Sequence, residues 1–193
     1  MPIDITSFAA NLSGGGARPN LFQVFCGSAP KIGGSQSLTN MTYLCKAASI
    51  PLSEVTKIAV PYRGRNIYVA GVRQFEETWN TTVINDTDFL IRRAMEAWQN
   101  AIHSHEGNIG SSDLTKYSTD ITVTQLHHLD GKGLRTYKFK HAWPTQVAAI
   151  ELAADSNDAI EEFEIQWAYS WWTVEEPQEP SVEGRGSTEI TTS

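Results

Sequence analysis

Hydrophobic and polar positions alternate along most of this chain, and they do so with the period of a strand. The clearest case is Ile160 to Trp172. Phe163, Ile165, Trp167, Tyr169 and Trp171 fall on one face, and Glu162, Glu164, Gln166, Ser170 and Trp172 fall on the other. Side chains along a strand point to opposite faces in turn, so this pattern predicts one dry face and one wet face. Residues 73–84 repeat it, with Phe75, Trp79 and Val83 on the dry side. Residues 119–128 alternate again and lead through Asp130-Gly131-Lys132-Gly133 into Leu134 to Ala142, which predicts a hairpin. Residues 145–153 predict a further short strand, closed by the turn Asp155 to Asp158.

The N-terminal half is more broken. Residues 1–19 read as an arm, interrupted by Gly14-Gly15-Gly16 and closed by Pro19. Leu21 to Phe25 predicts a strand, residues 26–38 a loop, and Thr39 to Ile50 another strand. Val55 to Val60 and Asn66 to Val72 flank Pro61 to Arg65 and predict a second hairpin. A single segment has a strong helical period. Ile91, Met95, Trp98 and Ile102 recur at spacings of four, three and four, with Asp86 or Thr87 as cap and Gly107 as stop. This predicts one amphipathic helix at about 87–105. The fold class expected is therefore mainly β: an antiparallel sandwich or barrel with one flanking helix.

Composition adds boundaries. The chain has 193 residues and a net charge of −7. Beyond Trp172 lie five acids and one base, which leaves −3 for the body. The expected organisation is one β-domain at 1–172, including the arm at 1–19, and an acidic, flexible tail at 173–193. Lys and Arg form no basic stripe, which argues against a protein that grips nucleic acid. Cys26 and Cys45 make no CxxC pair and are expected to be free thiols in a protein made in a cytoplasm. No apolar run approaches the roughly 20 residues that span a bilayer.

Candidate chemistry is sparse. No phosphate-binding or nucleophile-elbow motif is present, and Gly131-Lys132-Gly133 reads as a turn. His103, His105, Asp113 and His127 are the residue types of a metal site. On a helix, positions 103 and 105 diverge by about 200°. On a strand, His127 and His128 point to opposite faces. The expectation is no enzyme, no cofactor and no metal; a small β-sandwich binding module or metal-dependent protein is the alternative.

A series of short phrases carries a resemblance. They are Val60-Pro61-Tyr62-Arg63-Gly64-Arg65, then Ala70-Gly71 to Phe75-Glu76-Glu77, then Val83 to Phe89. Ser104 to Asn108, Tyr137-Lys138-Phe139, Trp143-Pro144-Thr145 and Asp155-Ser156-Asn157 leading to Ile160 to Glu164 follow. In that order they resemble the tail tube proteins of contractile-tailed bacteriophages, over about residues 18–172. The resemblance implies a structural subunit of the virion, made in the host cytoplasm, whose homohexameric rings stack into a hollow tube. It implies tail sheath, baseplate and tail terminator proteins as partners, and DNA passing through the lumen without specific binding. Related tubes of contractile injection and type VI secretion systems remain an alternative. Within that reading, the arm and the loop at about 44–62 are expected to touch neighbouring subunits or rings. Leu52, Val55, Ile58, Arg63, Arg65 and Trp172 are the candidate interface residues.

Overall fold

The computed structural model describes residues 4–12, 15–27, 35–110, 112–155 and 157–175. The expected acidic tail from 176 onward lies outside the described residues. Thr173 to Glu175, which composition assigned to that tail, instead form the end of a strand.

The fold is mainly antiparallel β, as the alternation predicts. One sheet has the strand order β1-β6-β7-β8-β5-β2, with β9 added beside β7. Its strands are β1 (Phe22–Cys26), β2 (Cys45–Ala48), β5 (Thr78–Ile84), β6 (Thr119–Leu126), β7 (Gly133–Val147), β8 (Glu162–Ala168) and β9 (Trp171–Glu175). β3 (Glu54–Tyr62) and β4 (Arg65–Gln74) form a separate two-stranded sheet.

β7 is 15 residues long and turns a corner at His141, which has a φ of 55°. Its first half pairs with β6 and β9, and its second half pairs with β8. The inward phase slips at the corner. Phe139 is buried before it, and Ala142 and Pro144 are buried after it. The facing chain bends at the same level. Lys140 pairs with Trp171, Trp143 pairs with Ala168, and the Ser170 N–H reaches the Lys140 carbonyl at 3.0 Å. The single strand expected from Ile160 to Trp172 is thus two strands, each paired to a different half of β7 and broken at Tyr169 and Ser170. This break reverses the expected faces. Trp172 turns inward and Trp171 is 41% exposed. Alternation alone does not reveal a corner, because the bend is made by backbone rather than by a change in residue type.

Two other strand expectations are corrected. Residues 75–77 interrupt the strand expected at 73–84. Residues 150–155 are not strand, and β7 already carries the chain to Val147.

Helices are more numerous than periodicity suggested. α1 (Ile5–Asn11) lies in the expected arm, capped by the Asp4 carboxylate on the Thr6 N–H at 3.2 Å. α2 (Ser35–Leu44) replaces the end of the expected loop and the first half of the strand expected at 39–50, whose second half holds β2. Leu38 and Met41, three apart, are both buried, which is a helical spacing that the Thr and Tyr residues around them obscured. α4 (Leu114–Tyr117) is a single turn capped by Asp113.

α3 (Leu90–Ile102) is the anticipated amphipathic helix, shorter at both ends than 87–105. The Asp86 carboxylate accepts from the Leu90 N–H at 2.9 Å and starts it. Ile91, Met95 and Trp98 are buried on its inner face. Trp98 meets Trp167 edge to face at 5.8 Å, and its indole N–H donates to the Tyr117 carbonyl at 2.7 Å. The helix thereby closes one side of a core built from Trp79, Val83, Phe139, Phe163, Ile165 and Trp167.

Candidate assembly surfaces

Two surfaces stand out because ordinary packing does not account for them. The first is the β3–β4 hairpin. Arg63 and Gly64 both take positive φ, 46° and 78°, which makes the tight turn whose twist matches paired strands. Tyr62 pairs with Arg65, Val60 with Ile67 and Ile58 with Val69. Cross-strand partners share a face, so Ile58, Val60, Ile67 and Val69 make one apolar stripe. They are exposed by 55%, 45%, 57% and 50%. On the opposite face the Lys57 ammonium sits 5.2 Å from the Tyr68 ring. An isolated hairpin is marginal in water, and an exposed apolar one is a site for association.

The structure places most of the anticipated contact residues here. Val55 and Ile58 are in β3 and half exposed, Leu52 precedes it at 55%, and Arg63 and Arg65 are at the tip. The Arg63 guanidinium lies 5.4 Å from the Tyr62 ring. Sequence reasoning named β3 and missed the apolar contribution of β4, although Ile67 and Val69 alternate as plainly. Trp172 is not on the tip. It packs at the hairpin's root, 6.2 Å from the Phe75 ring and 5.9 Å from the Tyr137 ring. Its indole nitrogen is buried without a hydrogen-bond partner.

The second surface is the outer face of the half-sheet β1-β6-β7-β9. Neighbouring strands in it are all antiparallel, so their directions alternate. Among the described residues, β1 is paired only to β6 and β9 only to β7. Both open edges are five residues long. An aromatic side chain stands exposed at each, Phe25 at 51% and Trp171 at 41%. Between them the face is rich in threonine, and the hydroxyls of Thr124 and Thr136 bond at 2.9 Å. The Asp120 carboxylate lies 2.5 Å from the Lys140 ammonium and 3.8 Å from that of Lys138. Partial burial would raise the Asp120 pKa, but Lys140, Lys138 and the His141 N–H together hold it below the usual carboxylate range. Lys140 is raised, chiefly by its hydrogen bond to Asp120.

The residues weighed for chemistry are scattered among structural tasks. His103 ends α3, Asp113 caps α4, and His127 pairs with Asp130 at 2.9 Å. Among the described residues no three His, Cys, Asp or Glu side chains come together as metal ligands. Cys26 and Cys45 are free, and burial pushes both thiols up to about 12. No helix among the described residues is long and apolar enough to cross a membrane.

Comparison with known proteins points one way. The family model described as "Phage tail tube protein" matches residues 17–175. "Tail tube protein gp19" of Enterobacteria phage T4 is 34% identical over 160 residues, which are 83% of this chain and 93% of that protein. The fold is shared with a chain of the sheath–tube complex of an extracellular contractile injection system in its extended state. That match has a TM-score of 0.54 at 16% identity, covering 88% of this chain and 97% of the other. A chain of the six-fold symmetrised baseplate of the anti-feeding prophage matches with a TM-score of 0.55 at 11% identity, covering 83% and 96%.

Proposed function

This chain belongs to the phage tail tube protein family, and from that premise we propose that six copies close into a ring through β1 and β9, and that stacked rings form the inner tube of a contractile tail. The observation that carries the reading is the pair of open edges. In β1-β6-β7-β9 the directions alternate and the strand number is even. A head-to-tail joint from β9 of one copy to β1 of the next is therefore antiparallel, like every other pairing in the sheet. A closed ring then leaves neither of these two edges exposed. Phe25 and Trp171, exposed at opposite edges, come together across each joint. The six-fold symmetry of the related baseplate supports six copies rather than another number.

In this arrangement the outer face of the half-sheet lines the bore, since its inner face is committed to the core. Viral DNA passes along that wall without specific binding. The hairpin reaches to the next ring, where the Ile58, Val60, Ile67 and Val69 stripe is buried. Leu52 and Val55 flank the contact, Arg63 and Arg65 meet the neighbour at the tip, and Trp172 braces the root through Phe75. The sheath surrounds the tube, the baseplate and terminator proteins meet its ends, and the whole is part of the virion.

Electron microscopy of the purified protein tests the assembly: rings or hollow tubes are expected, and a persistent monomer at all concentrations would refute it. Cysteine pairs test the joint. Gln23→Cys or Phe25→Cys, combined with Thr173→Cys or Glu175→Cys, should give intermolecular disulfides and a covalent ring under oxidation. Tubes that form with no such cross-link in any pair would show that the edges do not meet. Shortening the hairpin between Ile58 and Val69 with a Gly/Ser link should leave rings but abolish stacking.

A further inference from the structure

The face assigned to the bore carries four charged side chains on strands β6, β7 and β9, and they are arranged as a closed set. Asp120 and Glu175 are the acids, and Lys138 and Lys140 are the bases. Asp120 reaches both lysines, at 3.8 Å and 2.5 Å, and Glu175 lies 3.9 Å from Lys138. Both lysine side chains are less than a third exposed, laid along the sheet rather than extended into solvent. The face is thus neutral by pairing, not by lack of cations. The net charge of −7 says nothing about this, because it resides elsewhere.

The consequence follows from how proteins hold nucleic acid. Each lysine that contacts a phosphate releases a counterion, and repeated contacts along one polymer multiply. A ring repeats Lys138 and Lys140 once per subunit, and a stack repeats the ring. Unpaired, these ammonium groups would form a ladder of phosphate sites along the whole bore.

We propose that Asp120, with Glu175 in support, silences Lys138 and Lys140 so that the tube wall does not hold the DNA it conducts. The lysines in turn keep the wall hydrated without making it strongly acidic. This rests on the assignment of the β1-β6-β7-β9 face to the bore, which is tested separately. Thr124→Cys in intact tubes should react with a small maleimide and not with one carried on a particle wider than the bore. Labelling along the tube by the large reagent would place this face outside and overturn both ideas together.

The proposal itself is tested with assembled tubes and a short fluorescent DNA duplex, read as DNA retained in sedimented tubes across a salt series. Wild-type tubes should retain little. Asp120→Asn should raise retention at about 50 mM salt at least tenfold and steepen the log–log salt dependence by about 0.9 for each lysine engaged. The Asp120→Asn/Lys138→Gln/Lys140→Gln combination should return retention to the wild-type level. Glu175→Gln, at a more exposed position, should produce a smaller increase of the same sign, and it stands as the test should Asp120→Asn subunits fail to assemble. If a small maleimide alone reaches residue 124 and neither carboxylate variant changes retention, the wall reading stands and the silencing role is wrong.

Discussion

The indole N–H of Trp167 donates a 2.9 Å hydrogen bond to the hydroxyl of Thr81, and both side chains are fully buried. Thr81 is on β5 and faces Ile165 of β8, so the bond ties adjacent strands beneath α3. A buried indole needs a partner for its one polar atom, and Thr81 supplies it inside an otherwise apolar core.

Thr81→Val keeps the shape and removes the acceptor. It should cost about 1–3 kcal/mol, because the indole N–H is left desolvated and unpaired. Thr81→Ser, which keeps the hydroxyl, should cost less. Denaturant unfolding of the two variants measures the difference, and equal stability would mean that the bond contributes nothing net.

Gly71 faces Thr56 across the hairpin at an irregularity in register between Val55 and Lys57. There the Thr56 hydroxyl folds back onto the Val72 carbonyl at 3.1 Å. A Cβ on residue 71 would run into that hydroxyl and lie 3.0 Å from the Thr56 carbonyl oxygen. Gly71→Ala should therefore distort the hairpin. Because the hairpin is a sheet of its own, the melting temperature of the subunit should move by no more than about 2 °C. Tube length in electron micrographs should fall sharply. Normal tubes with a large loss of melting temperature would reverse the assignment.

Cys26 and Cys45 should be chemically quiet. Thiols held near 12 by burial carry almost no thiolate at pH 8, so iodoacetamide should modify the folded chain at least 100-fold more slowly than the unfolded one. The linkage has a definite sign. A raised folded pKa contributes stability that is complete below the ordinary thiol value of 9.0 and is lost as pH rises towards about 12. Melting temperature should fall over that alkaline window, and the fall should be smaller in Cys26→Ala.

Asp120 works in the opposite direction. Its folded pKa is depressed, so its pairing with Lys140 stabilises above the ordinary value of 3.8 and is lost as pH falls through the folded value. The pair is partly exposed, so its contribution stays below about 1 kcal/mol. Dissociated wild-type subunits should therefore exceed Asp120→Asn by a constant small margin from about pH 5 to 7 and lose it in acid, below the ordinary value of 3.8. A margin that survives in acid would point to packing rather than charge.

Much of this molecule is legible along the chain. β6, β8 and the β3–β4 hairpin announce themselves through alternation, and α3 through the spacing of Ile91, Met95 and Trp98. The exposure of Val55 and Ile58 in β3 is legible too, since apolar residues beside a Pro/Gly turn have little to pack on. α2 was hidden because Thr39, Thr42 and Tyr43 favour strands, and contact with β1 and α3 overrides that preference. The open edges at β1 and β9 were not legible at all, since an edge is a property of strand order.

The local pattern was thus enough to determine the mainly antiparallel class, the amphipathic helix, the hairpin and, through the series of phrases, the family. Tertiary structure alone decided three things. The corner at His141 and Ser170 turned Trp172 inward and Trp171 outward, because a bend in backbone shifts the phase of every residue after it. Strand order placed β1 and β9 at the rims with compatible directions. Pairing across β6, β7 and β9 brought Asp120 to Lys140, 20 residues away in sequence, and made neutral a face whose charges look unrelated when read in order. Each of these depends on which strands become neighbours. Neighbours are chosen by the burial of the whole core, not by the residues of any one segment.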